Sequence, residues 1–368
     1  MQITERRYDI DWIRVIAIGL LIVYHVAIGF QPWGIFIGFI QNTETSESLW
    51  VPMSMLNVWR IPLLFFVSGM GVCFAMKRRG IVSLIRERAK RILIPFVFGI
   101  VAIVPLHIFI IQAYYDQDLR YVLNPYHLWF LGNIFTYAVV FSPLFYYLKR
   151  TQGSKFHLAI EKLFSHPAGL LVAIIPFVLE AVLVNPIDFP TYAMNLHGWI
   201  LGALAFIFGF LFIYSGKGFW SMIVKWRLVL LAAALTLYLT RLIVNDMVSP
   251  HYLMAIESCI WIFTVFAFGH KYLNRGSSAL SYLSQAAYPV YILHMIFLYL
   301  AAWLLFPLNI SLWWKFGLSI LVTGVGCVLT YEYLVRRIGF LRPLFGLKPK
   351  PKHEPKPIAE PVVEMKSV

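Results

Sequence analysis

Residues 10–31 form an apolar run long enough to cross a bilayer, yet the run carries Asp11, Arg14 and His25. An α-helix turns about 100° per residue, so eleven steps from Arg14 bring His25 back to within about 20° of the same face. Asp11 lies about 40° from His25 on the same projection. One stripe of the helix is therefore polar, with His25 roughly 16 Å deeper than Arg14. An ionisable group at such depth costs at least about 2.5–3.5 kcal/mol. The stripe has to face protein or a water-filled cavity, and the rest of the chain has to wall it in.

Only 13% of the 368 residues are charged, about half of what a soluble domain needs to coat its surface. Runs of spanning length recur near 10–31, 52–76, 92–112, 127–148, 168–185, 197–215, 226–245, 252–272, 282–306 and 312–335. The fifth is short and contains Pro176 and Glu180. The expected fold is all-α: a polytopic membrane helix bundle of about ten transmembrane helices. With the N-terminus in the cytoplasm, all but five of the 31 Lys and Arg residues fall in inner loops or the adjoining helix ends. The exceptions are Arg14, Arg60, Arg120, Arg241 and Lys315. The net charge of +14 is thus a topology signal, and no nucleic-acid partner is expected. An even number of spans also returns the C-terminus to the cytoplasm.

Residues 1–340 are read as one membrane domain. Residues 341–368, alternating Lys and Pro from Lys348 onward, are expected to be a disordered cytoplasmic tail. Attraction to anionic membrane lipids is the functional alternative for that tail. Cys73, Cys259 and Cys327 each lie inside an apolar run without a CxxC spacing, which suggests core residues and no metal site.

Three groupings are candidates for chemistry. In the first, His25 is a natural general base for a hydroxyl, since imidazole titrates near neutrality. The alternative reading of Asp11 and Arg14 is that they are first-turn residues at headgroup level. The second is the basic stretch from Lys77 to Arg91, where Arg88 and Arg91 are three residues apart at the start of the third span. Paired guanidinium forks there suit the phosphates of an anionic cosubstrate. The third is a scatter of intramembrane polar residues: Arg60, His107, His127, Glu180, Arg241, Glu257 and His294. His107 and Glu180 are read as satisfied structural groups. His294 shares a helix face with Tyr291 and is expected to meet the first helix. No HExxH, GxSxG, P-loop or GxGxxG motif is present.

Asp11-x-x-Arg14 with His25 beyond it resembles the opening helix of the integral-membrane acyltransferase 3 family. Four further stretches are similar to family motifs in order: Leu64-Phe-Phe-Val-Ser-Gly69, Arg88-x-x-Arg91-Ile-x-x-Pro95, His127-Leu-Trp-Phe-Leu131 and Tyr288-x-x-Tyr291-x-x-His294. The start at Arg7-Tyr-x-x-Asp11 resembles the branch of glucan biosynthesis protein C. The resemblance implies acyl-CoA (acetyl-CoA or succinyl-CoA) as cytoplasmic cosubstrate and an extracytoplasmic carbohydrate as acceptor. It further implies a bacterial inner-membrane location and no metal. By position, His25 would be base or acyl carrier, supported by Asp11 and Arg14, and Arg88 and Arg91 would hold donor phosphates. Arg60, Trp129, Glu257, Tyr291 and His294 would line the substrate site, with Arg60 a candidate for stabilising an oxyanion.

The expected function is therefore membrane O-acyltransfer. A secondary transporter using the polar stripe as its path is the alternative, and it would show duplicated halves or matching broken helices. A non-catalytic scaffold explains the buried charges least well.

Overall fold

The computed structural model describes residues 6–244 and 247–349. All regular structure in it is helical. Among the described residues eight helices are long and apolar enough to cross a membrane: α1 Tyr8–Ile28, α2 Glu47–Met76, α3 Ile81–Tyr114, α8 Leu196–Tyr214, α9 Lys217–Ile243, α10 His251–Tyr272, α11 Ser278–Leu305 and α12 Leu312–Val335. Two bent pairs bring the number to ten: α4 Tyr126–Val140 with α5 Ser142–Arg150, and α6 Lys155–Phe164 with α7 Ala168–Val184. The protein is thus a polytopic membrane helix bundle.

The bends have local causes. Between α4 and α5 the axis turns by 48° where Ser142-Pro143 restarts the helix, proline suiting a first turn and not an interior. Between α6 and α7 the turn is 91°, at Ser165-His166-Pro167. The span expected at 168–185 is short because the chain reaches it from a helix lying across its axis. Further along, π-helical turns at Ala89–Leu93, Gly99–Ile103 and Tyr331–Val335 interrupt α3 and α12.

At the centre of the bundle α2 packs on α8. Its Phe65 and Phe66 are fully buried, and a Cβ on Gly69 would run into the Phe206 carbonyl. Reciprocally, a Cβ on Gly209 would run into the carbonyl of Phe66. Without a hydrophobic force between lipid-embedded helices, such close approach is what small residues provide. The Phe-Phe-x-x-Ser-Gly stretch is therefore a helix-packing device, with Ser68 Oγ donating back to the Leu64 carbonyl at 2.8 Å.

Buried charges hold the outer half. Arg241 makes a two-pronged contact with Glu257 at 2.8 and 2.9 Å and donates to the Ser54 carbonyl at 3.1 Å, joining α9, α10 and α2. On the opposite, basic face, Asp9 is fully buried between Arg7 and His270, at 2.6 and 2.8 Å. The Arg7 guanidinium lies 3.8 Å above the Trp220 ring. Beyond α12, the segment assigned to the tail begins as packed chain. Leu341–Leu344 forms a short helix, α13, and Phe345 is buried against Phe98. Residues 350–368 lie outside the described residues.

Candidate active site

α1 and α11 run side by side, and each brings one histidine to the same depth near the outer end of the bundle. His25 Nδ1 and His294 Nε2 are 2.8 Å apart, with the rings 10° from parallel. His294 is fully buried, and its Nδ1 is 2.7 Å from the Tyr291 carbonyl oxygen. A carbonyl only accepts, so Nδ1 of His294 carries a proton. In the neutral pair Nε2 of His294 is then an acceptor, and Nδ1–H of His25 donates to it. This leaves the lone pair of His25 on Nε2. That nitrogen has no hydrogen-bond partner among the described residues, and the His25 side chain is partly exposed. The pair thus presents an open imidazole nitrogen, its tautomer set by a backbone carbonyl two bonds away in the chain of hydrogen bonds.

Two further histidines extend the group. Ring centres are 5.2 Å apart between His294 and His127, and 5.3 Å between His127 and His107. His127 Nε2–H donates to the Ile292 carbonyl at 3.2 Å, and Tyr291 O–H donates to the His127 carbonyl. The Nδ1 atoms of His127 and His107 are buried without a partner. His107, expected to be satisfied, is therefore not. Glu180, likewise expected to be satisfied, pairs Oε1 with buried His197 at 2.8 Å while its Oε2 is buried without a partner.

Arg60 supplies the cation. Its side chain is 1% exposed, and its Cζ lies 3.8 Å from the centre of the Tyr24 ring. Both Nε and Nη1 are buried without a hydrogen-bond partner. Tyr24 is the chain neighbour of His25, with the two rings 5.7 Å apart, so the cation stands beside the histidine pair. A buried guanidinium left unpaired is costly, which marks a place where negative charge is to be received.

The other expected site residues divide. Tyr291 and His294 stand at the centre as placed. Trp129 is buried against Phe65, with ring centres 6.0 Å apart, and makes no ring contact with the histidines. Glu257 is consumed by its pair with Arg241. Asp11 and Arg14 do not touch His25: Asp11 takes Arg6 at 3.0 Å and Arg14 at 3.6 Å, at the far end of α1. The helical projection put all three on one stripe, but depth separates them, and the support for His25 comes from another helix. Sequence reasoning counted His107 and His127 among the buried polar residues without joining them to His25. A shared mid-to-outer depth on α3, α4 and α11 is the signal that could have done so.

At the basic face Arg79, Arg88 and Arg91 gather around Glu87, at 3.7, 3.6 and 3.0 Å, with Arg14 paired to Asp11 at the same end of α1. Arg88 turns inward, donating Nη2–H to the Gly71 carbonyl at 3.0 Å, while Arg91 stays more exposed. The two are not a symmetric fork pair. The Tyr288 hydroxyl is nevertheless buried without a hydrogen-bond partner at this mouth, and Arg88 Nε has only the longer 3.6 Å ion pair with Glu87, donors suited to an anion. Among the described residues no three His, Cys, Asp or Glu side chains converge to hold a metal ion.

Fold and site together define a multi-pass membrane protein with a hydrogen-bonded histidine pair and a buried, unpaired guanidinium inside its helix bundle. Residues 7–332 match the acyltransferase domain that defines the acyltransferase 3 family, and the chain belongs to that family. No curated protein and no solved structure matches it. The resemblance seen in the five motifs is thus sustained over nearly the whole chain, and the protein is a membrane acyltransferase.

Proposed function

We propose that the protein moves an acetyl or succinyl group from acyl-CoA to a hydroxyl of an extracytoplasmic carbohydrate such as a glucan, in a bacterial inner membrane. The observation that carries this reading is the open Nε2 of His25, held in that tautomer by His294 beside the unpaired Arg60. The donor phosphates rest among Arg88, Arg91 and Arg14 at the basic face, and the thioester reaches inward along α1. Nε2 of His25 takes the acceptor proton as the hydroxyl oxygen attacks the thioester carbon. The resulting positive charge is shared through Nδ1–H with His294. Arg60 meets the negative charge that develops on the carbonyl oxygen. As the C–S bond breaks, the proton passes from His25 to the departing sulfur.

A variant of this path places the acyl group on His25 Nε2 first and transfers it to the hydroxyl second. The transporter alternative draws support from the two broken spans. These are consecutive and not in matching halves, and both bends have a nearby proline, so they favour it little.

The test is acyl transfer by purified protein from labelled acyl-CoA to envelope glycans, together with mass spectrometry of glycans from deletion and His25→Ala strains. Loss of one acyl mass in both strains is the expected result. Unchanged glycans in both, with solute flux that consumes no acyl-CoA, would overturn the proposal in favour of transport.

A further inference from the structure

Next to His25 toward the outer end of α1 and α2 is a second group of side chains, bounded on one side by the Arg60 guanidinium on the Tyr24 ring. Tyr24 O–H donates to Asn57 Oδ1 at 2.8 Å. The Asn57 amide N–H groups have no partner among the described residues, and Asn57 is half-buried. Trp50 packs against the other side of this pair, 5.4 Å from the Tyr24 ring, and Trp33 stands edge-on to Trp50 at 4.6 Å. Both indoles are half-buried, and neither N–H has a partner among the described residues. Tyr24 and His25 are chain neighbours with rings 5.7 Å apart, so the group adjoins the base directly.

An interfacial aromatic belt is the plainer explanation for tryptophan at this level. The belt residues of this protein look different: Trp313 and Trp314 are 60% and 68% exposed on the surface of α12. Trp33 and Trp50 instead turn onto each other and onto Tyr24. Nearby, the Tyr192 hydroxyl donates to the carbonyl of Val58, the residue after Asn57. Burial and the charge of Asp188 hold the Tyr192 phenol well above its usual range. Thr191, the residue before Tyr192, donates its Oγ1–H to Asp188 Oδ2 at 2.8 Å, so the exposed carboxylate of Asp188 stands close to Tyr192 and its contact with α2. Aromatic faces with one amide and one carboxylate beside them match a pyranose, which has an apolar C–H face and a rim of hydroxyls.

We propose that Trp33, Trp50 and Asn57, backed by buried Tyr24, form a subsite for one sugar ring of the acceptor, with Asp188 at its rim, presenting a hydroxyl to Nε2 of His25. The inference rests on the acyltransfer reading given above for its catalytic sense, but the binding is separable from it. The ring is held before transfer, so that the acyl C–O bond forms and the thioester C–S bond breaks on a hydroxyl already aligned with the base.

The test is saturation-transfer NMR on the detergent-solubilised full chain, with methyl β-glucopyranoside and a β-linked glucose trisaccharide as probes. Saturation of the sugar ring protons is expected for the native protein and for His25→Ala. Trp50→Ala and Asn57→Leu should each weaken it roughly tenfold, the loss of a stacking or hydrogen-bonding partner. Should Trp50→Ala fail to elute as a single species, Trp33→Ala and Asn57→Leu carry the comparison. No saturation in the native protein, or saturation unchanged in these variants, overturns the subsite. Sugar binding without acyl transfer from any acyl-CoA would overturn the acyltransfer reading and leave the subsite standing. Acyl transfer with an unchanged acceptor KM in Asn57→Leu would overturn the subsite alone.

Discussion

His25 on α1 and His294 on α11 share one hydrogen bond of 2.8 Å, although 269 positions separate them in the chain. The Tyr291 carbonyl holds the proton on the far side of His294, so the polarity of this bond is set by the backbone of α11. Replacing His25 by Ala should lower acyl transfer about 10²–10⁴-fold, the usual contribution of a general base. Donor thioester consumption by purified protein is the measurement. Residual transfer within a few-fold of the native rate would remove His25 from the chemistry.

His294 acts through His25, and its substitutions should separate geometry from bulk. His294→Gln keeps an acceptor for His25 Nδ1–H and a donor for the Tyr291 carbonyl, while His294→Leu keeps neither. Transfer should fall about tenfold in the first and about a hundredfold or more in the second, chiefly in kcat. Equal losses in the two variants, tracking a loss of thermal stability, would show that His294 only fills space.

Arg60 has buried donors awaiting an acceptor. Arg60→Gln should reduce kcat about 10²–10³-fold with little change in the KM for donor, since an interaction made mainly in the transition state is lost. Arg60→Lys should recover part of this, because a point charge lacks the fork. A rise in donor KM with kcat intact would place Arg60 in ground-state binding instead.

Glu257 gives a prediction of a different kind. Its carboxylate and the Arg241 guanidinium are both nearly inaccessible, so Glu257→Gln leaves a buried cation under-compensated. The expected cost is about 3–5 kcal/mol of stability with transfer chemistry unchanged in whatever protein remains folded. Thermal unfolding in detergent reads the first quantity and single-turnover transfer the second. A stable, inactive Glu257→Gln protein would return Glu257 to the substrate site.

Arg88 and Tyr288 bear on the donor side. Arg88→Ala and Tyr288→Phe should raise the KM for acyl-CoA by about tenfold each and leave an acyl-pantetheine donor, which lacks the nucleotide phosphates, unaffected. Equal losses with both donors would mean that this cluster braces α2 and α3 and does not bind phosphate.

The amino-acid sequence by itself determined the class of this protein. Ten apolar runs with their cations gathered to one side leave only a helix bundle in a membrane, because lipid cannot satisfy a backbone that is not helical or closed. It also marked His25, since an imidazole at that depth needs a reason to be there, and it carried the ordered motifs of the family. What it could not separate were residues alike in depth and polarity. Glu257 and Arg60 both read as buried charges, yet Arg241 neutralises one and no described side chain neutralises the other. Asp11 and His25 shared a stripe on the helix projection, yet the helix axis holds them apart. Periodicity reports which side of a helix a residue occupies, and only the packing of α1 against α2 and α11 decides what stands opposite. The free Nε2 of His25, on which its proposed role as base rests, is in that sense a property of Tyr291 and His294, brought to it by the fold.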